Sequence, residues 1–356
     1  MSSVTLTGVS KAYGPVTALQ PLDLEIREGE FLSLLGPSGC GKTTTLRIVA
    51  GFVEPTTGHV NIGGRDVTYT PPQKRNIGMV FQDYALFPHM TVAENIGFGL
   101  RERRASRAQE TARVRELLDL IHLPQIADRY PSEISGGQAQ RVALARAVAY
   151  TPAVLLLDEP LGALDLKMRE AMQAEIRRIQ QELGITALYV THDQTEAMSM
   201  SDRIAVMKDG VMAQIGSAQE IYDSPRSRFV AGFVGQINLV EGVFLGTDSG
   251  HAMAEIAGLR LRGTAVGSPP QASPVTMALR PEAVVLHPAG TVAEPQDNVL
   301  DGTITAIGFA GNLARVEIEG AGISLTAEMR PDELRHTRGE AVRAVWPAAR
   351  TRFLTE

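Results

Sequence analysis

Phe31-Leu32-Ser33-Leu34-Leu35-Gly36-Pro37-Ser38-Gly39-Cys40-Gly41-Lys42-Thr43-Thr44 decides the fold. A short apolar run feeds a glycine-rich turn, and residues 43–49 leave it as a helix closed by Gly51. Strand, loop and helix in that order are the context in which Gly-x-x-x-x-Gly-Lys-Thr reads as a phosphate loop and not as a chance turn. Glycines matter there because backbone N–H groups must approach phosphate oxygens closely. The helix that follows adds its positive end. On this reading Gly36, Pro37, Ser38, Gly39, Cys40, Gly41, Lys42, Thr43 and Thr44 take the phosphates of a nucleotide. Lys42 bridges the β- and γ-phosphates as a point charge, and Thr43 places its hydroxyl on Mg²⁺. Cys40 is expected to turn its side chain away from the phosphates.

Downstream, residues 153–157 are continuously apolar, as a buried parallel strand is. Asp158 and Glu159 end that run. Carboxylates at the carboxyl end of a core strand face the ligand crevice of an α/β sheet. Asp158 is therefore expected to hold Mg²⁺ through water, and Glu159 to act as general base on the attacking water. Gln82 follows the strand 77–81 and is placed to reach Mg²⁺ and water. His192 follows the strand 187–190 and is placed to meet the γ-phosphate and Glu159. A lone His is usually structural, and a lone Gln means less still. Tyr13 offers a ring for adenine to stack on, a weak sign by itself. Ser135-Gly136-Gly137-Gln138 is a second glycine-rich turn, opening a helix with Ser135 as its N-cap. One bound nucleotide needs only one such turn. Two on one chain point to paired chains that share nucleotides.

The chain has 356 residues, which suggests two domains. Hydrophobic residues make up 44% and charged residues 21%, enough for a sizeable core. A net charge of −6 argues against a dedicated nucleic-acid binder. The single cysteine permits no intrachain disulfide and fits a reducing compartment. No signal peptide is expected at the N-terminus, and no apolar stretch approaches the roughly 18–20 residues of a spanning helix. Any membrane role then goes through partners. Residues 106–123 read as a helix with Val114, Leu117, Leu118 and Ile121 on one face, and 136–149 as another. A further helix is expected over 168–183 with Gly184 as its stop, and an Asp-Gly hairpin over 206–211. Beyond about 235, short alternating strands (259–262, 275–279, 304–307, 314–318, 323–327 and 342–346) suggest a small antiparallel barrel. The stretch 225–236 reads as the connection. The expected architecture is thus an α/β phosphate-loop nucleotide-binding domain at 1–235, with an inserted helical subdomain at about 84–150, followed by an all-β, OB-like domain at 236–356.

Taken in order, these motifs resemble the ATP-binding-cassette (ABC) ATPases over residues 4–235. Tyr13 resembles the adenine contact, Gly36 to Thr44 the phosphate loop, and Gln82 the lever glutamine. Ser135 to Gln138 resemble the family signature, Val154 to Glu159 the magnesium strand with the catalytic glutamate. Leu164-Asp165 resembles the dimer-contact loop and His192 the switch histidine. Ile134, Ala139 and Gly162 depart from common family residues, and none of these departures removes a catalytic group. The tail, with Arg280-Pro281-Glu282 and Val345-Trp346-Pro347, resembles the transport-associated barrel of importer ATPases.

The resemblance implies a head-to-tail homodimer enclosing two ATP. Lys42, Thr43, Gln82, Asp158, Glu159 and His192 of one chain would face Ser135 to Gln138 of the other. It also implies two integral-membrane permease subunits, a periplasmic or surface solute-binding protein, and a peripheral place on the cytoplasmic face of the inner membrane. Gln82 and the apolar stretch 84–88, taken as exposed, are expected to carry the coupling; the alternative is that these apolar residues pack the subdomain. Residues 228–235 and Asn238 lean towards polyamine import; ferric iron, phosphonate, sulfate and sugar remain open because solute contacts lie in other subunits. A soluble ABC ATPase of translation or repair is the rival class, disfavoured by the single cassette and the lack of sustained heptads. A regulator that hydrolyses nothing is disfavoured by Glu159 and His192.

Overall fold

Phe31–Leu35 is buried along its whole length because it lies inside a six-stranded sheet. Thr186–Thr191 and Arg203–Lys208 flank it, both parallel to it. Beyond Thr186–Thr191 come Val154–Asp158 and Ile77–Val80, also parallel, and Val211–Gly216 closes the other edge antiparallel. This is the computed structural model of the chain; it describes residues 2–162, 164–248 and 250–355.

Register decides where the functional residues meet. Leu35 pairs with Thr191, Val190 with Asp158, and Leu157 with Val80. The parallel strands therefore end along one edge, and the segments that follow them carry Gly36, Gln82, Glu159 and His192. This edge is the ligand crevice of an open α/β sheet. The hairpin at the far side turns through Asp209 and Gly210 with φ of +49° and +79°, as a tight two-residue hairpin requires.

A second sheet, ordered Val16–Ile26, Val4–Tyr13, Thr57–Ile62, Arg65–Asp66, is antiparallel. Three helices, Val92–Glu102, Arg107–Leu120 and Gly136–Val148, intervene between the core strands Ile77–Val80 and Val154–Asp158. Each begins with a reciprocal capping box: Thr91 with Glu94, Ser106 with Gln109, Ser135 with Gln138. Val114, Leu117, Leu118 and Ile121 are buried, as their spacing predicts. The first of these helices had a legible start in Thr91-x-x-Glu94, which the sequence reading passed over. Leu166–Leu183 starts two residues ahead of the expected helix because the Asp165 carboxylate accepts the Met168 N–H at 2.9 Å. Gly184, at φ +64°, ends it.

The chain divides into two compact units, Met1–Ala218 and Gln219–Glu356. In the second, Asn238–Asp248, His251–Ile256, Leu259–Ala265, Thr351–Leu354 and Pro274–Leu279 close a five-stranded barrel. A further five-stranded antiparallel sheet runs Val285–Pro288, Ala341–Pro347, Asp297–Ala310, Leu313–Gly320, Ile323–Met329. The β domain is thus a barrel plus a sheet, with an apolar core that includes Leu261, Met277, Val316 and Trp346. Within this unit Arg280, itself buried, donates to the carbonyls of Tyr222, Val234 and Gln236 at 2.9, 2.7 and 2.9 Å. It fastens the stretch 225–236 to the β domain. Arg280→Ala strands those carbonyls and is expected to cost about 3 kcal/mol. A lower urea midpoint for the second unit measures that loss; an unchanged midpoint would show that the rivet is dispensable.

Candidate nucleotide site

The phosphate loop is shaped by neighbours far away in sequence. A Cβ on Gly36 would collide with the Met207 carbonyl oxygen. One on Gly41 would stand 2.9 Å from the Ala18 carbonyl oxygen. Gly39 and Gly41 adopt φ of +78° and +101°, open to glycine alone without strain. The Gly210 N–H donates to the Cys40 carbonyl at 3.2 Å, and the Gln20 N–H to the Gly210 carbonyl at 2.9 Å. Lys42 is buried, and its ammonium donates to the carbonyls of Gly36 and Pro37 at 2.7 and 2.9 Å. Pro37, Ser38 and Gly39 are exposed.

The helix Lys42–Ala50 begins at Gly41 with no side-chain cap and no acidic residue in its first turn. Its leading amides therefore face an anion without internal competition. Thr43 and Thr44, half-buried, occupy that first turn. Cys40 turns inward to the apolar cluster of Leu46 and Met207, and burial pushes its thiol pKa up. A thiol kept protonated is a poor nucleophile.

Asp158 is half-buried, and desolvation raises its carboxyl pKa against the pull of Arg47. Such a carboxylate gains from a nearby cation. Glu159 sits in the left-handed region at φ +45°, its N–H donating to the Val190 carbonyl at 3.1 Å. Its Oε2 lies 3.1 Å from Nδ1 of His192. Register across neighbouring strands thus joins the two residues into one unit. Beside them is a small cavity of about 40 Å³, lined in part by Gly162, Arg169 and Glu196.

Gln82 is exposed two residues past its strand, and its Nε2 would lie 3.6 Å from a Cβ on Gly162. A serine at 162 would therefore fit, and the departure there removes no space. Tyr13 ends its strand half-exposed, with the Lys11 ammonium 5.0 Å from its ring centre. Ser135 and Gly136 are exposed at the start of their helix; the Gln138 carboxamide oxygen accepts the Ser135 N–H at 2.9 Å. The side chains nearest Gly136 and Gly137 are Leu164 and Met168. Asp165 is exposed, as is Leu166 beside it.

The stretch 84–88 is not the exposed apolar patch that its composition suggests. Tyr84 and Leu86 pack against the core of Val92, Ile96 and Leu144. Phe87 is half-buried, its ring centre 4.6 Å from that of Phe98. Only Ala85 and Pro88 are exposed. Left-handed backbone at Tyr84 and Ala85 turns the larger side chains inward. The sequence reading also missed Arg169. It meets Asp193 Oδ2 and the Leu164 carbonyl, each at 3.2 Å, and stands 3.8 Å from buried Glu196. Glu196 in turn accepts from the hydroxyls of Tyr189 and Thr191 at 2.6 Å.

The ABC transporter family profile matches residues 19–162, and the TOBE domain profile residues 277–354. The spermidine/putrescine import ATP-binding protein of Thermobifida fusca is 59% identical over 244 residues, 67% of this chain and 64% of that one. The match thus spans slightly under two thirds of that relative. Its namesake in Rubrobacter xylanophilus is 46% identical over 352 residues, 97% of this chain and 92% of that one. The Fe(3+) ions import ATP-binding protein of Brucella abortus is 46% identical over 317 residues, 89% and 88% of the two chains. A solved dimer of a bacterial ABC transporter cassette superposes with TM-score 0.54 at 35% identity, covering 60% of this chain and 98% of that one. Cassette at the front, TOBE domain at the back and near-full-length likeness to import proteins agree: the chain belongs to the ATP-binding subunits of ABC importers, which are ATPases.

Proposed function

We propose that the chain hydrolyses ATP between two copies of itself and so energises uptake of a polyamine through membrane partners. The 3.1 Å pairing of His192 with Glu159, on the strand edge that also bears the uncapped phosphate-loop helix, carries the reading. Uncapped amides, glycine-only backbone and a desolvated Asp158 suit a triphosphate with its Mg²⁺. Lys42 and the backbone N–H groups that the loop 36–44 carries, Pro37 having none, hold phosphates, and Tyr13 stacks on the base. Thr43, Gln82 and Asp158 would hold Mg²⁺, which when bound would offset negative charge on the phosphates. Glu159 accepts a proton from the attacking water, and His192 fixes the carboxylate for it. Ser135, Gly136, Gly137 and Gln138 of the second copy close the site from the other side, with Asp165 at the contact between copies. The solved cassette neighbour is dimeric, which supports this pairing.

Gly136 offers a separate support. A Cβ there would meet only Leu164, at an ordinary 3.8 Å, so packing within the chain does not demand glycine. Close approach of an outside group does. Gly136→Ala is expected to leave the melting temperature unchanged or slightly raised, since alanine is the better helix former. Hydrolysis is expected to fall by about tenfold, the effect of a methyl group forced into a tight contact. Unaltered hydrolysis in a stably folded variant would count against an outside group at that turn.

No helix among the described residues is long and apolar enough to cross a membrane. Permease subunits and a solute-binding protein would supply passage and recognition, with this chain peripheral on the cytoplasmic face. Polyamine is favoured by the names of the relatives at 59% and 46% identity. The ferric-iron relative at 46% makes the solute the part to test first. In vesicles with the cognate permease, ATPase activity should rise with spermidine or putrescine presented by the binding protein. Stimulation by ferric iron alone would replace the polyamine reading and leave the ATPase reading standing.

A further inference from the structure

Gln82 stands at the head of a loop held in an unfavourable backbone shape. Tyr84 and Ala85 both lie in the left-handed region, at φ +61° and +46°. Two consecutive residues with side chains are strained there unless something holds them. Their carbonyls accept from one guanidinium. Arg146 Nη1 donates to the Ala85 carbonyl at 2.6 Å, and Nη2 to the Tyr84 carbonyl at 2.8 Å. The guanidinium carbon stands 5.5 Å from the Phe87 ring centre. The far end of the loop is fixed separately. Asn95, wholly buried, accepts the Phe87 N–H at 2.8 Å and donates to the Phe87 and Met90 carbonyls at 3.1 Å.

Arg146 belongs to the helix Gly136–Val148, whose first turn carries Gly136 to Gln138. Val142, Ala143, Leu144, Ala145 and Ala147 of that helix are buried, so packing holds it along its length. A planar fork that spans two adjacent carbonyls ties the helix to the loop in one geometry; an ammonium cannot reproduce it. We infer that Arg146 is a positioning residue for Gln82, holding the 84–85 turn in its strained form so that the signature turn and Gln82 shift together. This rests on the two-copy site proposed above, and on Gln82 acting in it.

Glycine provides the test, because it adopts left-handed backbone without strain. If the fork's work is to hold that shape, Ala85→Gly makes the fork partly dispensable. The full-length chain is compared as wild type, Gln82→Ala, Arg146→Ala, Arg146→Lys and Arg146→Ala with Ala85→Gly. ATP affinity is read with a fluorescent ATP analogue, kcat by phosphate release. Arg146→Ala should lower kcat by about 10–100-fold, the factor equivalent to a charge-assisted hydrogen bond, with affinity within about twofold. Adding Ala85→Gly should restore kcat by at least about threefold. Should Arg146→Ala not fold, Arg146→Lys with and without Ala85→Gly is read in the same way. A wild-type kcat without the fork, or no recovery with glycine, overturns the inference. Gln82→Ala separates the two failures. If it is slow while glycine rescues nothing, only the role of Arg146 falls; if it runs at the wild-type rate, the role of Gln82 falls and that of Arg146 with it.

Discussion

Glu159→Gln should bind ATP as tightly as the wild type, accumulate as an ATP-bound dimer, and turn over about 10²–10⁴ more slowly. The side chains have the same shape, so the amide keeps a place opposite His192 Nδ1, now 3.1 Å from the carboxylate. What it loses is the capacity to take a proton. The left-handed backbone at Glu159, φ +45°, stays because the Val190 carbonyl and the strand register set it. Binding and dimerisation are therefore separable from chemistry in this variant. Gel filtration with and without ATP reads the first, and phosphate release the second. Near-normal steady-state hydrolysis would take the general-base role away from Glu159.

Ser135→Arg should abolish hydrolysis when every chain carries it. It places a bulky cation at an exposed helix start whose dipole already favours anions. The fold should survive, since a lost N-cap costs only about 1 kcal/mol. Lys42→Ala should be silent as well, for want of the phosphate-loop ammonium. Mixed one to one, the two form pairs in which one site has an intact Lys42 and an intact Ser135. Random pairing then predicts about a quarter of wild-type turnover per chain. Single-turnover phosphate release measures it without demanding that both sites work in sequence. A mixture as silent as its parents, once exchange of chains has been verified, would show that copies do not share nucleotides.

Local patterns were legible where one segment carries its whole meaning. The phosphate loop, the Asp158-Glu159 strand end and the Ser135 turn each carry their local structure, loop, strand end or capped helix start, within a few residues. The β domain was harder. Asn238–Asp248 was missed because its alternation breaks at a register shift between Phe244 and Gly246. Thr351–Leu354 is short and acquires its place only by pairing with both Pro274–Leu279 and Leu259–Ala265. Arg146, and the carbonyl-binding role of Arg280, were invisible for another reason. Their partners are main-chain carbonyls, which every residue type possesses, so no complementary residue marks the contact. Residues 84–88 misled because composition reports apolarity but not the φ values that turn it inward.

The cradle around Gly36 has a consequence for synthesis. Every side chain that names it is present once Thr44 has been made, yet its walls are the Ala18 and Met207 carbonyls and the Gly210 amide. The hairpin at 209–210 therefore has to be made before the loop has its full set of neighbours. Nascent polypeptides that stop short of it are expected to bind nucleotide weakly, so that ligand capture would report a completed cassette.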